Sequence, residues 1–192
     1  MPLPTLVFAT HNAHKVAEVQ ALLADRYTVK SLTDIGCEEQ IVEDALTLEG
    51  NARLKAEYVK KHFGFDCFAD DTGLEVEALA GAPGVLSARY GGPKCDAADN
   101  VAKLLGALAS VPRPWEARFR TAICLLRGEE VIEIDGICTG EIVPDPEGEE
   151  GFGYDPVFLP HGSARTFAQM SAKDKNATSH RGRAIRAMLA KL

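Results

Sequence analysis

The central segment of this sequence reads Cys67-Phe68-Ala69-Asp70-Asp71-Thr72-Gly73-Leu74-Glu75-Val76. A short apolar run ends in two adjacent carboxylates and is followed by a Thr-Gly pair, which is typical of a turn. The pattern predicts a buried strand with Asp70 and Asp71 at its end, where the ligand crevices of α/β sheets form. Because the motif is short, a solvated acidic turn is the alternative.

The two carboxylates suit a divalent cation. Mg²⁺ prefers hard oxygen ligands, and proteins usually hold it with one or two carboxylates and the phosphates of a substrate. No His or Cys adjoins Asp70 and Asp71, which favours Mg²⁺ over zinc. The pair therefore indicates a Mg²⁺ site.

Composition limits the classes of function. With 192 residues, 46% of them hydrophobic and 26% charged, the chain predicts a single globular domain over residues 1–192. A net charge of −7 argues against a nucleic-acid polymer as partner, because binding its backbone needs clustered Lys and Arg. An anionic ligand would have to be bound locally, by a few cations, a metal or backbone N–H groups.

The cysteines and the N-terminal residues indicate a compartment. Five cysteines form no C-x-x-C pair, and an odd number cannot pair completely within one chain, so we expect reduced thiols. The start Met1-Pro2-Leu3 lacks the basic segment of a signal peptide, and no run of about 18 apolar residues follows anywhere. We therefore predict a soluble, cytoplasmic protein with no membrane partner.

Two segments before the central one carry polar side chains at helix starts. An apolar strand at residues 6–10 leads into the loop His11-Asn12-Ala13-His14-Lys15 and then a helical pattern, so backbone N–H groups and Lys15 could meet phosphate. The alternative is that Thr10 or Asn12 caps the helix and Lys15 is solvated. A second helix is predicted from Thr47 to Gly64, with Asn51 and Lys55 on one face and Glu43 and Asp44 before its start.

The remaining elements are predicted from periodicity. They comprise a strand at 27–30, a helix begun by Asp96 or Asp99, a β-hairpin over 115–142 and a short strand at 157–159. Gly81-Ala82-Pro83-Gly84 is predicted to be a turn, and Thr166–Met170 a short helix or turn. Ser179 is predicted to cap a final helix over 180–192. His180 and Arg181 in its first turn oppose the helix dipole, which indicates a ligand role.

Six ordered motifs give the sequence a close resemblance to the inosine triphosphate pyrophosphatases, also called non-canonical purine nucleoside triphosphate pyrophosphatases, and most of all to their bacterial members. The match spans nearly the whole chain. The motifs are Ala9–Lys15, Glu43–Lys55, Ala69–Leu74, Gly81–Tyr90, Gly151–Pro156 and Ser179–Gly182.

The resemblance implies an activity and a fold. The family hydrolyses ITP, dITP and XTP to the monophosphate and pyrophosphate with Mg²⁺, which removes deaminated purines from the nucleotide pool. Its fold is an elongated mixed β-sheet flanked by helices, with two lobes and the active cleft between them. Its members are usually homodimers.

The resemblance also implies roles for individual residues. Asp71 resembles the catalytic residue that orients the attacking water, and Glu43, Asp70 and Asp71 resemble the metal ligands, with Glu43 and Asp44 not distinguished. The implied substrate-binding residues are Thr10, His11, Asn12, Ala13, His14, Lys15, Asn51, Lys55 and Thr72 on the phosphate side and Phe152, Gly153, Tyr154, Asp155, Lys175, His180 and Arg181 around the base. Phe152 would stack on the base, with Lys175 and Arg181 near its 6-keto oxygen.

Three positions depart from the family pattern, which often has Gly where His14 stands, Ser at Thr72 and Phe at Leu48. Thr72 keeps the hydroxyl, whereas His14 could alter the phosphate loop. Two other classes of function are alternatives. A nucleotide-binding module would bind without turnover, and an aspartyl-phosphate phosphatase would need a D-x-D arrangement in place of the adjacent Asp70-Asp71.

Overall fold

Within residues 3–23 and 25–192, which the computed structural model describes, seven strands and five α-helices form a mixed α/β fold. The strands are β1 (Thr5–Phe8), β2 (Thr28–Lys30), β3 (Cys67–Val76), β4 (Pro83–Gly84), β5 (Trp115–Arg127), β6 (Glu130–Ile142) and β7 (Phe158–Pro160). The helices are α1 (Ala13–Leu23), α2 (Leu48–Phe63), α3 (Ala97–Leu108), α4 (Ala172–Thr178) and α5 (His180–Leu189). The strand order is β2-β1-β3-β5-β6-β7, with β4 paired to β3.

The sheet is mixed because the pairings differ in direction. Strand β1 pairs in parallel with both β2 and β3, whereas β4 pairs antiparallel with β3 and β7 antiparallel with β6. Strands β5 and β6 are neighbours joined by a two-residue turn, as the predicted hairpin requires. The predicted class, a mixed β-sheet flanked by helices, is confirmed.

The described chain divides into two compact units. Unit 1 comprises Met1–Asp71, Thr121–Gly136 and Gly182–Leu192, and unit 2 comprises Thr72–Arg120 and Ile137–Arg181. The division points fall within β3, β5, β6 and α5, so neither unit is a contiguous piece of the sequence. The assignment of one domain to residues 1–192 stays a prediction.

Unit 1 has two apolar clusters because β1 and β3 alternate their side chains between two faces. Leu6, Phe8 and Phe68 belong to one cluster, and Val7, Ala9 and Ala69 to the other. The first cluster also contains Val19 and Leu23 of α1 and Ala184, Ile185 and Met188 of α5; the second contains Ala52, Ala56 and Val59 of α2. Unit 2 has a single cluster rich in aromatic residues, including Trp115, Phe119, Phe158 and Phe167.

Strand β3 corrects the prediction that Asp70 and Asp71 lie at a strand end. The strand continues through Thr72 and Gly73 to Val76. The parallel pairing with β1 ends at Phe68, and antiparallel pairing with Pro83–Gly84 begins at Leu74, so the predicted Thr-Gly turn is instead extended backbone. The predicted turn at Gly81–Gly84 was also wrong in part, since its last two residues form β4.

The helices follow their predicted caps more closely. The Thr47 side chain accepts a hydrogen bond from the Gly50 N–H at the start of α2, and Asp96 caps α3 in the same way. Helix α4 was missed, although Ser171 caps it, and α5 ends at Leu189, three residues before the predicted end. None of the helices in the described ranges combines the length and apolar character that a bilayer span requires.

Candidate active site

The predicted phosphate loop is built around the cap of α1. The Asn12 Oδ1 atom accepts hydrogen bonds from the His14 and Lys15 N–H groups at 3.0 and 3.2 Å, and the Thr10 hydroxyl oxygen accepts one from the Asn12 N–H. The loop residues from His11 to His14 are exposed. The cap expected under the alternative interpretation is therefore present, and α1 begins at Ala13, so that Lys15 lies in its first turn.

His11 and Lys15 are held in place by groups outside the loop. The Nε2 atom of His11 donates to the Glu39 carbonyl oxygen at 3.0 Å, and its Nδ1 atom lies 3.3 Å from the Thr33 hydroxyl. The Lys15 ammonium donates to the Asp70 Oδ1 atom at 2.7 Å. Only 14% of the Lys15 side chain is exposed and 1% of that of Asp70, so Lys15 is not the solvated residue of the alternative.

Asp70 and Asp71 face opposite sides of the strand, because consecutive residues of β3 alternate. Asp70 contacts Lys15 of α1, whereas the Asp71 Oδ2 atom accepts a hydrogen bond of 3.0 Å from the Asn51 side chain of α2. The Asn51 side chain also accepts a bond from the Ala45 N–H. Asn51 is buried, so its amide group contacts protein on both sides of these bonds and does not face solvent.

The second predicted lysine lies on the Asp71 side. The Lys55 ammonium donates to the Glu43 Oε2 atom at 2.7 Å, and Lys55 is buried while Glu43 is partly exposed. Asp44 is exposed. We call Lys15, Glu43, Asn51, Lys55, Asp70 and Asp71 the Asp71 cluster.

Several charged neighbours and burial act on the pKa of Asp71, the central carboxyl group of the Asp71 cluster. Burial raises the pKa of Asp71, and Glu43 raises it further, while the Lys55 and Lys15 ammonium groups and the Asn51 hydrogen bond lower it in part. The Asp71 carboxylate is therefore held where its ionised form is disfavoured, and a cation bound beside it would relieve that cost.

The donor atoms of this cluster suit a hard cation. Among the described residues no three His, Cys, Asp or Glu side chains are grouped closely enough to hold a metal alone. Glu43 and Asp71 still offer two carboxylates that interact with each other and with Lys55, and Mg²⁺ is commonly bound by one or two carboxylates with substrate phosphates completing its shell. The residues therefore fit a Mg²⁺ ion that binds together with a phosphate ligand.

A second group of the predicted residues gathers in unit 2. The Lys175 ammonium lies 2.6 Å from the Asp155 Oδ2 atom and 4.7 Å from the centre of the Phe152 ring, and the Arg181 guanidinium lies 5.6 Å from the same ring. Asp155 also accepts the Phe152 N–H at 2.8 Å. We call Thr72, Phe152, Asp155, Lys175 and Arg181 the Phe152 cluster, since the Arg181 Nη2 atom donates to the Thr72 hydroxyl at 3.2 Å.

Gly151 permits this arrangement. Its φ angle is +75°, and a Cβ atom there would lie 2.1 Å from the Asp155 Oδ2 atom. Any side chain would therefore displace the carboxylate that holds both Lys175 and the Phe152 backbone. The glycine is required by close approach as well as by backbone conformation.

Two other predicted base-side residues, Tyr154 and His180, contact the core of unit 2. The Tyr154 hydroxyl donates to the Ser87 carbonyl oxygen at 2.7 Å, its ring belongs to the apolar core of unit 2, and burial raises its pKa. The His180 ring is 3% exposed and stacks on Phe119, with ring centres 4.5 Å apart. Gly153 lies between Phe152 and Tyr154 in the loop that precedes Asp155.

Sequence reasoning missed Ser87. Its hydroxyl accepts from the Leu74 N–H at 2.9 Å and donates to the Gly84 carbonyl oxygen at 2.6 Å, so that it joins β3, β4 and Tyr154. The available signal was the motif Ser87-Ala88-Arg89-Tyr90, which the resemblance included without assigning a role.

Known proteins support the resemblance. The sequence model of the Ham1 family matches residues 6–191. The chain is 50% identical to a dITP/XTP pyrophosphatase of Flavobacterium psychrophilum, over 96% of each chain, and 51% identical to that of Porphyromonas gingivalis, over 94% of this chain and 93% of the relative.

Solved structures agree with the sequence comparison. A HAM1 protein from Coxiella burnetii superposes with a TM-score of 0.88 at 36% identity, covering 99% of this chain and all of that one. A nucleoside-triphosphatase, also called dITP/XTP pyrophosphatase, from Mycobacterium abscessus gives a TM-score of 0.77 at 42% identity, with 96% and 98% covered. The family resemblance inferred from the motifs is confirmed, and the chain belongs to the Ham1 family.

Proposed function

We propose that this protein hydrolyses the triphosphates of deaminated purines, namely dITP, ITP and XTP, to the nucleoside monophosphate and pyrophosphate. Two relatives that are 50% and 51% identical to the chain are named dITP/XTP pyrophosphatase, which supports the proposal. The observation that carries the proposal is the Asp71 carboxyl group, which accepts a hydrogen bond from Asn51 and whose pKa is raised by burial and lowered in part by the charges of Lys55 and Lys15. A base with a raised pKa and nearby cations suits attack of water on a phosphate anhydride.

Each part of the Asp71 cluster has a task in this reaction. Asp71 orients the attacking water and takes its proton, and Asn51 fixes the Asp71 carboxylate by its hydrogen bond. The Lys15 and Lys55 ammonium groups, which donate to Asp70 and Glu43, are the proposed cations for the phosphate oxygens, since an ammonium has three N–H donors. In the loop Thr10–His14 the N–H groups of Thr10, Asn12 and His14 bond within the protein, so His11 and Ala13 are the proposed backbone donors to phosphate at the start of α1.

We propose Mg²⁺ as the cofactor, held by Glu43 and Asp71. When bound, it supplies charge neutralisation for the phosphate oxygens and the leaving pyrophosphate. Asp70 is less suited to this task, because it lies on the opposite face of β3 and is occupied by Lys15.

The Phe152 cluster is the proposed base pocket. Phe152 offers a ring face for stacking, and Arg181 and Lys175 are donors for a 6-keto oxygen. Adenine carries a 6-amino donor, and a site built to hydrogen-bond its substrate can reject such a mismatch by roughly 10⁴-fold or more. Tyr154 and His180 contribute by shaping the pocket from the core side.

The test is a product assay with ITP, XTP, GTP and ATP in the presence of Mg²⁺, resolving pyrophosphate from orthophosphate. We expect pyrophosphate from ITP and XTP, and in ¹⁸O-labelled water the label should enter the monophosphate. Binding without cleavage would instead indicate a nucleotide-binding module. Orthophosphate with a phosphorylated aspartate would indicate an aspartyl-phosphate phosphatase.

Two further statements stay predictions. A homodimer is expected from the family resemblance and is measured by light scattering coupled to size-exclusion chromatography. A cytoplasmic location is expected from the reduced thiols and is measured by cell fractionation.

A further inference from the structure

We propose that Thr72 is a positioning residue that fixes the guanidinium plane of Arg181, and that it acts on base selectivity through Arg181. The inference rests on the proposed function and assigns a task within the base pocket. It adds this task to the substrate contact that the family resemblance implies for Thr72.

The contact that carries this inference is buried and long-range. The Arg181 Nη2 atom donates to the Thr72 hydroxyl oxygen at 3.2 Å, across 109 residues of sequence, and Arg181 is only 2% exposed. A guanidinium is planar with five N–H donors in a fixed fork, so fixing one edge determines where the others point. The Phe152 ring, 5.6 Å from the guanidinium carbon, supports the plane as a second fixed point.

Thr72 can serve this purpose because its own backbone is constrained. A Cβ atom at the next residue, Gly73, would lie 2.7 Å from the Gly84 carbonyl oxygen, so β3 and β4 approach more closely there than a side chain permits. The Leu74 N–H donates to the Ser87 hydroxyl, which donates in turn to Gly84. The strand carrying Thr72 is therefore fixed directly after it.

Ser87 also contacts the segment that carries Phe152, the ring next to Arg181. The Ser87 carbonyl oxygen accepts the Tyr154 hydroxyl at 2.7 Å, and Tyr154 lies two residues after Phe152. The segments that carry Thr72 and Phe152 therefore both hydrogen-bond to Ser87, through Leu74 and Tyr154. Arg181 thus contacts side chains from two separate segments that are joined by one residue.

The experiment is a double-mutant cycle of Thr72→Val and Arg181→Ala, assayed with ITP and ATP. Valine keeps the shape of threonine and removes the hydroxyl, so we expect Thr72→Val to lower kcat/KM for ITP by up to about tenfold, the loss expected when Arg181 no longer points its charge-assisted hydrogen bond at the 6-keto oxygen. For ATP the loss should be under about twofold, since ATP has no acceptor for Arg181 at position 6. In the Arg181→Ala background, Thr72→Val should add less than about a twofold loss.

Two controls separate positioning from folding. Thr72→Ser restores a hydroxyl and should recover the ITP rate to within about twofold of wild type. Thr139→Val makes the same chemical change at an exposed position of β6 and should leave both substrates unaffected. Thermal unfolding of every variant shows whether a loss of activity is a loss of folded protein.

Additive losses in the cycle, or equal losses for ITP and ATP in Thr72→Val, would overturn the inference. Failure of the proposed function looks different, because wild type would then not cleave ITP. The same cycle is therefore also measured by calorimetric binding of inosine and adenosine monophosphates. Coupling between Thr72 and Arg181 in inosine monophosphate binding supports the inference even without turnover, and its absence there contradicts it.

Discussion

The Asp71 cluster and the Phe152 cluster contain the same kinds of charge in different surroundings. Each has two cations and at least one cation–carboxylate pair at 2.6–2.7 Å. In the Phe152 cluster the Lys175–Asp155 pair is 6% and 4% exposed and lies against an aromatic ring. In the Asp71 cluster the Lys15–Asp70 pair is also largely buried, but Glu43, the partner of Lys55, is 37% exposed, and Asp71 ionises against the cost of burial.

This difference fits the two chemical tasks proposed for the clusters. Phosphates carry formal charge and are bound by cations even where water has access, whereas a keto group differs from an amino group only in the direction of a hydrogen bond. Discrimination of that kind is strong only where water cannot satisfy the unpaired donor, which requires burial. We therefore expect substitutions in the two clusters to change different observables.

The largest effect is expected for Asp71→Asn. It removes the general base and a proposed metal ligand together, so kcat for ITP should fall by 10²-fold or more, on the order of the contribution of general-base catalysis alone. ITP binding should largely survive, because Lys15 and Lys55 remain. Steady-state kinetics and calorimetry measure the two quantities. A variant that retains more than about a tenth of wild-type kcat would remove Asp71 from the mechanism.

Asp155→Asn should have the largest effect on stability. It leaves the buried Lys175 ammonium without its carboxylate, and breaking a buried pair in this way costs about 3–5 kcal/mol in the free energy of unfolding. Glu43→Gln is the matched control, since its partly exposed pair with Lys55 should contribute about 1 kcal/mol or less. Urea unfolding measures both. Equal losses would show that burial does not distinguish the two pairs.

The ratio of kcat/KM for ITP to that for ATP should respond differently to substitutions in the two clusters. Lys15→Gln keeps a donor for Asp70 and removes the charge, so kcat/KM for ITP and ATP should fall by a similar factor. Arg181→Ala removes a charge-assisted donor worth roughly 1.5–3 kcal/mol, so kcat/KM should fall about tenfold or more for ITP and much less for ATP. Equal losses for ITP and ATP in Arg181→Ala would mean that this arginine binds phosphate or serves only packing.

The smallest effect concerns the stability of Asp71→Asn. Because the pKa of Asp71 is raised in the folded protein, its favourable contribution is complete below the unfolded pKa of about 3.9 and is lost as pH rises through the folded pKa. Asparagine stays neutral, so the variant should unfold at a higher temperature than wild type at pH 7, with a smaller gap near pH 3. Calorimetry at both pH values checks this. A lower Tm at pH 7 would contradict this prediction. It would mean that the ionised Asp71 carboxylate stabilises the fold, as is expected for Asp155.

Local signals predicted most of the elements. The predicted helix ends at Thr47, Gly64 and Asp96 are correct. Caps could be predicted because a capping residue bonds to a residue three or four positions away. The prediction of a turn at Thr72-Gly73 was wrong because the backbone conformation there depends on pairing with Pro83–Gly84. No residue next to Thr72 in the sequence specifies that pairing. Because β3 continues past Asp71, the alternation of side chains along a strand places Asp70 and Asp71 on opposite faces. A strand that ended at these residues would not have required this.

The charge pairs were beyond sequence reasoning for a related reason. Lys15 meets Asp70 across 55 residues, and Arg181 meets Thr72 across 109, so spacing offers no guide. The family resemblance gathered these residues into one functional list without saying which side chains meet. Tyr154 shows the difference, since its motif marks it as part of the site and its hydroxyl is bound to Ser87.

The discontinuity of unit 1 has a consequence for biosynthesis. Leu6, Phe8 and Phe68 are made early, but the cluster that buries them also needs Ile185 and Met188. A nascent chain that has reached residue 150 therefore already contains β1, α1 and β3 while their apolar surface lacks its last partners. Such a chain exposes aggregation-prone surface until α5 has left the ribosome, so a stop codon or translational pause before α5 should increase its dependence on chaperones.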